Sequence, residues 1–108
     1  MSGELIYVDS YDFEERASSG AVLVYFYNHF NMQSRAFLSV IEELAEDYAE
    51  TALFLAVDVE QSPDIAMRYE IDDLPSVLFI MDNEVVDLIE GSNPSYVYSD
   101  ILDSINDR

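Results

Sequence analysis

Apolar positions along the chain follow two rhythms: short unbroken runs, and longer stretches in which an apolar residue returns every three or four positions. Leu5 to Val8 is the first run, and it ends at Asp9-Ser10, a helix-cap signal, after which Phe13 and Ala17 are spaced to face inward from a short helix stopping before Gly20. Ala21 to Tyr27 is the longest wholly apolar or aromatic run, seven residues that are nearly all β-branched, aromatic or leucine. It predicts a strand buried on both faces, and therefore a central one. From Asn31 to about Glu50 the period changes to that of a helix. Phe37, Ile41, Leu44, Ala45 and Tyr48 fall on one side, with Glu42, Glu43, Glu46, Asp47 and Glu50 opposite.

The second half repeats the alternation. Ala52 to Val59 predicts another buried strand, closed by Glu60-Gln61-Ser62-Pro63, where Ser62 is placed to cap and Pro63 to begin a short helix reaching Tyr69. Leu74-Pro75 leads into a strand from Ser76 to Met81. Asp82-Asn83 makes a tight turn, and Glu84 to Glu90 returns as an antiparallel neighbour. Gly91-Ser92-Asn93-Pro94 repeats the cap-and-proline signal before a last helix marked by Val97, Ile101, Leu102 and Ile105. The predicted order is βαβαβαββα. With right-handed crossovers, this is an α/β three-layer sandwich with a mixed sheet of about five strands and helices on both faces. No repeat, linker or low-complexity segment divides residues 1–108, so one domain is expected.

Composition narrows the possible chemistry. The 108 residues include 23 Asp and Glu against four arginines (Arg16, Arg35, Arg68, Arg108) and no lysine, a formal charge of −19. Nucleic-acid binding needs a basic footprint that these scattered arginines do not provide, and anionic membrane surfaces are disfavoured for the same reason. A basic protein partner or cations fit the field better, although carboxylates also serve plain solubility. The missing lysines resemble the bias of salt-adapted proteins. With no membrane-length apolar run, and no basic region or apolar stretch at Met1-Ser2-Gly3-Glu4, a soluble cytoplasmic protein is expected. Cysteine is absent altogether. That excludes disulfides, thiol redox chemistry and thiolate metal sites in any fold.

Several segments together resemble the thioredoxin family over about residues 5 to 107. Val22-Leu23-Val24-Tyr25-Phe26-Tyr27 resembles its central strand, Ala45-Glu46-Asp47-Tyr48 the end of its long helix, and Val57 to Pro63 its third strand and following turn. Tyr69-Glu70-Ile71-Asp72-Asp73-Leu74-Pro75-Ser76 is the most specific match, resembling the stretch that carries the family's cis-proline, and Gly91 falls on a family glycine. The resemblance implies the fold already read from periodicity. It also exposes a departure. Where the family has an aromatic residue, Cys-Gly-Pro-Cys and a basic residue, this chain reads Phe30-Asn31-Met32-Gln33-Ser34-Arg35. Asn31 and Ser34 stand in place of both sulfurs, and Tyr25 in place of the buried carboxylate used in proton transfer. Dithiol exchange requires an attacking thiolate, so no oxidoreductase activity, catalytic residue or cofactor is expected.

The residues left at that position have simpler uses. Asn31 is placed to cap the helix with its amide oxygen. His29, the only histidine, is a loop residue that cannot make a transition-metal site alone. Asp72-Asp73 and Asp82-Asn83-Glu84 lack the calcium-loop pattern and are expected to be surface turns. In the family, the cis-proline exposes the backbone of the preceding residue for pairing with an extended peptide. The resemblance therefore implies a peptide- or protein-binding surface of Phe30, Met32, Leu74, Pro75 and Gly91, with backbone bonds holding the segment and side chains selecting it. The leading expectation is a redox-inactive binding module acting as an adaptor, assembly factor or chaperone-like subunit. The alternatives are an enzyme using Ser34 with His29 as its base, a binder of a small thiol such as glutathione near Pro75, a calcium buffer, and an enzyme whose cysteines were removed by substitution.

Overall fold

The computed structural model describes residues 4–106, so Met1 to Gly3 and Arg108, used in the sequence reading, lie outside the described residues. Its elements follow the expected order: β1 Leu5–Val8, α1 Phe13–Arg16, β2 Ala21–Tyr27, α2 Met32–Asp47, β3 Leu53–Asp58, α3 Pro63–Arg68, β4 Ser76–Met81, β5 Glu84–Glu90 and α4 Ser95–Asn106. The strands form one sheet in the order β1-β3-β2-β4-β5. β3 runs parallel to both β1 and β2, and β4 is antiparallel to β2 and β5. Placing β2 in the middle accounts for its unbroken apolar run, because both faces are covered.

Those two faces carry separate cores. On one, Leu23, Tyr25, Phe54, Val77 and Phe79 of the sheet meet Phe37, Ile41 and Leu44 of α2 and Tyr98, Leu102 and Ile105 of α4. On the other, Val22, Val24, Phe26, Leu55 and Val57 meet Phe13 and Ala17 from the α1 segment and Ile65 and Ala66 of α3. Alternate residues of one strand thus serve opposite layers, and the three-layer arrangement stands.

The differences from the sequence reading lie at element ends. α1 starts later than Asp9-Ser10 predicts, its N-cap being Asp12; the Asp9 carboxylate instead accepts from the N–H groups of Tyr11 and Asp12 and forms the preceding turn. Ser62 occupies the N-cap position of α3 but its side chain makes no capping bond there. α2 ends at Asp47, not Glu50. Tyr48 leaves the helical conformation and its phenol donates to Asp103 of α4 at 2.8 Å, a contact that local spacing does not encode. The β4–β5 turn is as read, with Asp82 and Asn83 at φ 48° and 71°, the pattern of a tight two-residue hairpin. A register shift opposite Phe79/Ile80 interrupts that ladder.

Candidate functional site

Strand register brings four of the connections at one end of the sheet to bear on the candidate residues. Phe26 near the end of β2 pairs with Ser76 at the start of β4, and Ser76 pairs with Glu90 at the end of β5. The Val59 N–H beyond β3 donates to the Tyr27 carbonyl. The loops 28–31, 59–62, 69–75 and 91–94 therefore share this end, and they hold the residues singled out from sequence.

The first loop enters α2 through two asparagines. The Asn28 side chain accepts from the Phe30 N–H at 2.8 Å, and the Asn31 amide oxygen caps the helix by accepting from the Ser34 N–H at 2.7 Å. Phe30 and Met32 project outward at 86% and 82% exposure. Gln33 and Arg35 are also exposed. Ser34 behaves oppositely. It is fully buried, its hydroxyl has no partner among the described residues, and its carbonyl accepts the phenol O–H of Tyr25. His29 does not reach it: its Nε2 lies 3.9 Å from Oδ2 of the buried Asp58, and its ring meets Tyr27 edge-on. The serine–histidine pair considered for nucleophilic catalysis is not assembled, and a sealed hydroxyl without a base lacks what such chemistry needs.

Across from this loop, the Leu74–Pro75 peptide bond is cis. Pro75 is buried, so it underlies the expected binding surface rather than forming an exposed part of it. Its carbonyl accepts from the Gly91 N–H at 2.8 Å, and the Gly91 carbonyl accepts from Asn93 and Tyr98. Leu74 is half-buried against the core under α1 and α3. Among the described residues its N–H and C=O form no hydrogen bond. The structure thus brings Phe30, Met32, Leu74, Pro75 and Gly91 to one end, with the first three reaching the surface and Gly91 half-buried.

Sequence reasoning missed an aromatic pocket beside this loop. Tyr7, Tyr25 and Tyr27 line it from the sheet, His29 from the loop, and Arg35 and Leu38 from α2, around a space of about 270 Å³. Tyr7 and Tyr25 both pair with Ala56 of β3, so two rings flank one methyl group. Tyr27 stacks on Tyr25 with centroids 5.4 Å apart and meets Tyr7 edge-on at 5.9 Å. Burial, then the Asp58 carboxylate, pushes the Tyr27 phenol up to about 12. Burial together with neighbouring Tyr7, Tyr27 and Glu42 raises Tyr25 further, and burial with Glu42 raises Tyr7. All three are neutral phenols at physiological pH. The available signal was the alternation of Tyr25 and Tyr27 on one strand face, but Tyr7 joins them only through strand order.

The chain's sequence matches the family model described as Thioredoxin over residues 4–104. It is 31% identical over 99 residues to a thioredoxin of Staphylococcus aureus (strain Mu50), covering 92% of this chain and 95% of that protein. Among solved structures, it resembles a thioredoxin of Malassezia sympodialis with a TM-score of 0.85 at 20% identity, over 96% of this chain and 92% of the other. A mutant thioredoxin from Halobacterium salinarum NRC-1 gives 0.87 at 24% identity, over 95% and 91%. These two structural likenesses concern the fold.

Proposed function

Because the chain belongs to the thioredoxin family yet contains no cysteine, we propose that it is a redox-inactive binding module holding an extended, basic protein segment at the Phe30–Leu74 surface. Thiol–disulfide exchange proceeds through a thiolate, and neither Asn31 nor Ser34 can form one. The observation that carries the reading is the pairing of two outward apolar side chains, Phe30 and Met32, with an unpaired backbone at Leu74 on the same end of the sheet. An extended segment placed there would gain backbone bonds from Leu74 and apolar contact from Phe30 and Met32, the division of labour of strand addition. Met32 adds an adaptable surface. A charge of −19 favours basic segments through long-range attraction. The proposed role is that of an adaptor, assembly factor or chaperone-like subunit in the cytoplasm, and not of an enzyme.

The test is capture from a library of extended peptides, alongside a disulfide-reduction assay. The wild-type chain is expected to retain segments with an apolar residue near lysine or arginine. Phe30→Ala combined with Leu74→Arg is expected to lose them, and disulfide turnover should equal that of the reductant alone. Retention unchanged in the double variant, or turnover above background, overturns the reading.

A further inference from the structure

The docking end has lost both of the family's sulfurs, yet a different sulfur stands between their positions. Met32 is the first residue of α2, directly after the Asn31 cap, and its side chain is open to solvent at 82% exposure. Sulfur enters this chain only through four methionines, and no cysteine is present to take up an oxidant first. Met67 on α3 is also exposed, whereas Met81 at the end of β4 is half-buried. A thioether cannot attack a disulfide as a thiolate does. It does accept an oxygen atom, and the sulfoxide that results is polar where the thioether was apolar. Having no proton to lose, a thioether needs no neighbouring base for this reaction, so the separation of His29 from Ser34 places no limit on it. Of the exposed methionines, Met32 is the one that belongs to the Phe30–Leu74 surface.

We propose that Met32 is a modification site through which hydrogen peroxide releases the bound segment. The consequence rests on the docking reading; the chemistry rests on the exposure of Met32 alone. In the step, the Met32 sulfur attacks one oxygen of the peroxide, and an S–O bond forms as the O–O bond breaks. Sulfur gives up two electrons, the peroxide is reduced, and the departing hydroxide removes the proton of the transferred hydroxyl and leaves as water. One oxygen is taken up per Met32 and nothing turns over, so the step is separate from thiol–disulfide exchange. A segment seated over the sulfoxide must bury an S=O acceptor that apolar contact does not satisfy, and that cost loosens it. Sulfoxide reductases return the thioether, which makes the release reversible.

To test this, the full chain is treated with hydrogen peroxide and oxygen uptake at each methionine is followed by mass spectrometry of its peptides. Binding is read by fluorescence anisotropy of a labelled peptide of alternating lysine and valine. Met32 is expected to gain oxygen as fast as free N-acetylmethionine amide and well before Met81. The oxidised chain should hold the peptide about tenfold more weakly, with affinity restored by sulfoxide reductases acting on both epimers. Met32→Leu, whatever its own affinity, should bind equally before and after peroxide, and Met67→Leu should keep the full loss. Met32 reacting more slowly than Met81, a loss that persists in Met32→Leu, or equal binding before and after Met32 is oxidised would each overturn the proposal. If binding is equal while Phe30→Ala with Leu74→Arg still loses the peptide, the docking surface stands and the oxidation proposal falls alone. If the wild-type chain holds no peptide, or the double variant holds it equally well, the docking reading fails and takes the release proposal with it.

Discussion

Asn31 and Ser34 stand where the family has its two sulfurs, and they have become structurally opposite residues. Asn31 supplies a helix cap, with its side chain accepting from the Ser34 N–H. Ser34 buries a hydroxyl that gains no hydrogen bond among the described residues and has lost its contact with water. Substituting them should therefore give unequal results. Asn31→Ala is expected to cost about 1 kcal/mol through the lost cap, whereas Ser34→Ala should be neutral or slightly stabilising, because it deletes an unpaired buried group. Urea denaturation midpoints would check both. A loss for Ser34→Ala comparable to that for Asn31→Ala would show that the hydroxyl is bonded after all.

At the scale of elements, helix ends carry most of what the chain's periodicity leaves undetermined. α3 finishes with Glu70 at φ 55°, its N–H donating to the Met67 carbonyl and the Ile71 N–H to that of Ala66. This paired pattern is the Schellman motif, whose left-handed position normally belongs to glycine. A glutamate side chain there carries a steric penalty that glycine avoids. Glu70→Gly should consequently stabilise the fold by roughly 0.5–1 kcal/mol, after allowing for the extra freedom glycine gives the unfolded chain. The measurement is the shift in urea midpoint at constant slope. No gain, or a loss, would mean that the Glu70 side chain makes a compensating contact.

For the molecule as a whole, the tyrosine cluster and the surplus of carboxylates act together at alkaline pH. A phenol in the unfolded chain ionises near 10, whereas that of Tyr27 is held up to about 12, with Tyr25 and Tyr7 also raised. Their contribution is complete below about pH 10 and is lost as pH rises through the folded values, because over that interval the unfolded chain releases protons that the folded one retains. Each phenolate that does form adds repulsion to a molecule already at −19. Stability is therefore expected to decline between about pH 10 and 12, and Tyr27→Phe should make that decline shallower. Urea unfolding across this range tests it, and an unchanged slope in the variant would remove Tyr27 from the account.

The sequence by itself determined the element order, the central place of Ala21 to Tyr27, the helix face of Phe37, Ile41 and Leu44, the Asp82-Asn83 turn, the Asn31 cap and the absence of thiol chemistry. These are properties of neighbours in the chain: apolar period, turn chemistry and residue identity act over a few positions, and a missing sulfur cannot be supplied by folding. Tertiary structure alone decided that Ser34 is sealed while Phe30 and Met32 are open, that Pro75 lies beneath the surface, that Tyr48 leaves α2 to meet Asp103, and that Tyr98 anchors the Gly91 turn. It also decided that Tyr7 joins Tyr25 and Tyr27 across Ala56, since strand order β1-β3-β2 brings together rings 18 and 20 positions apart in the chain. Exposure and pocket formation depend on which distant elements pack against a residue, and local sequence does not specify those partners.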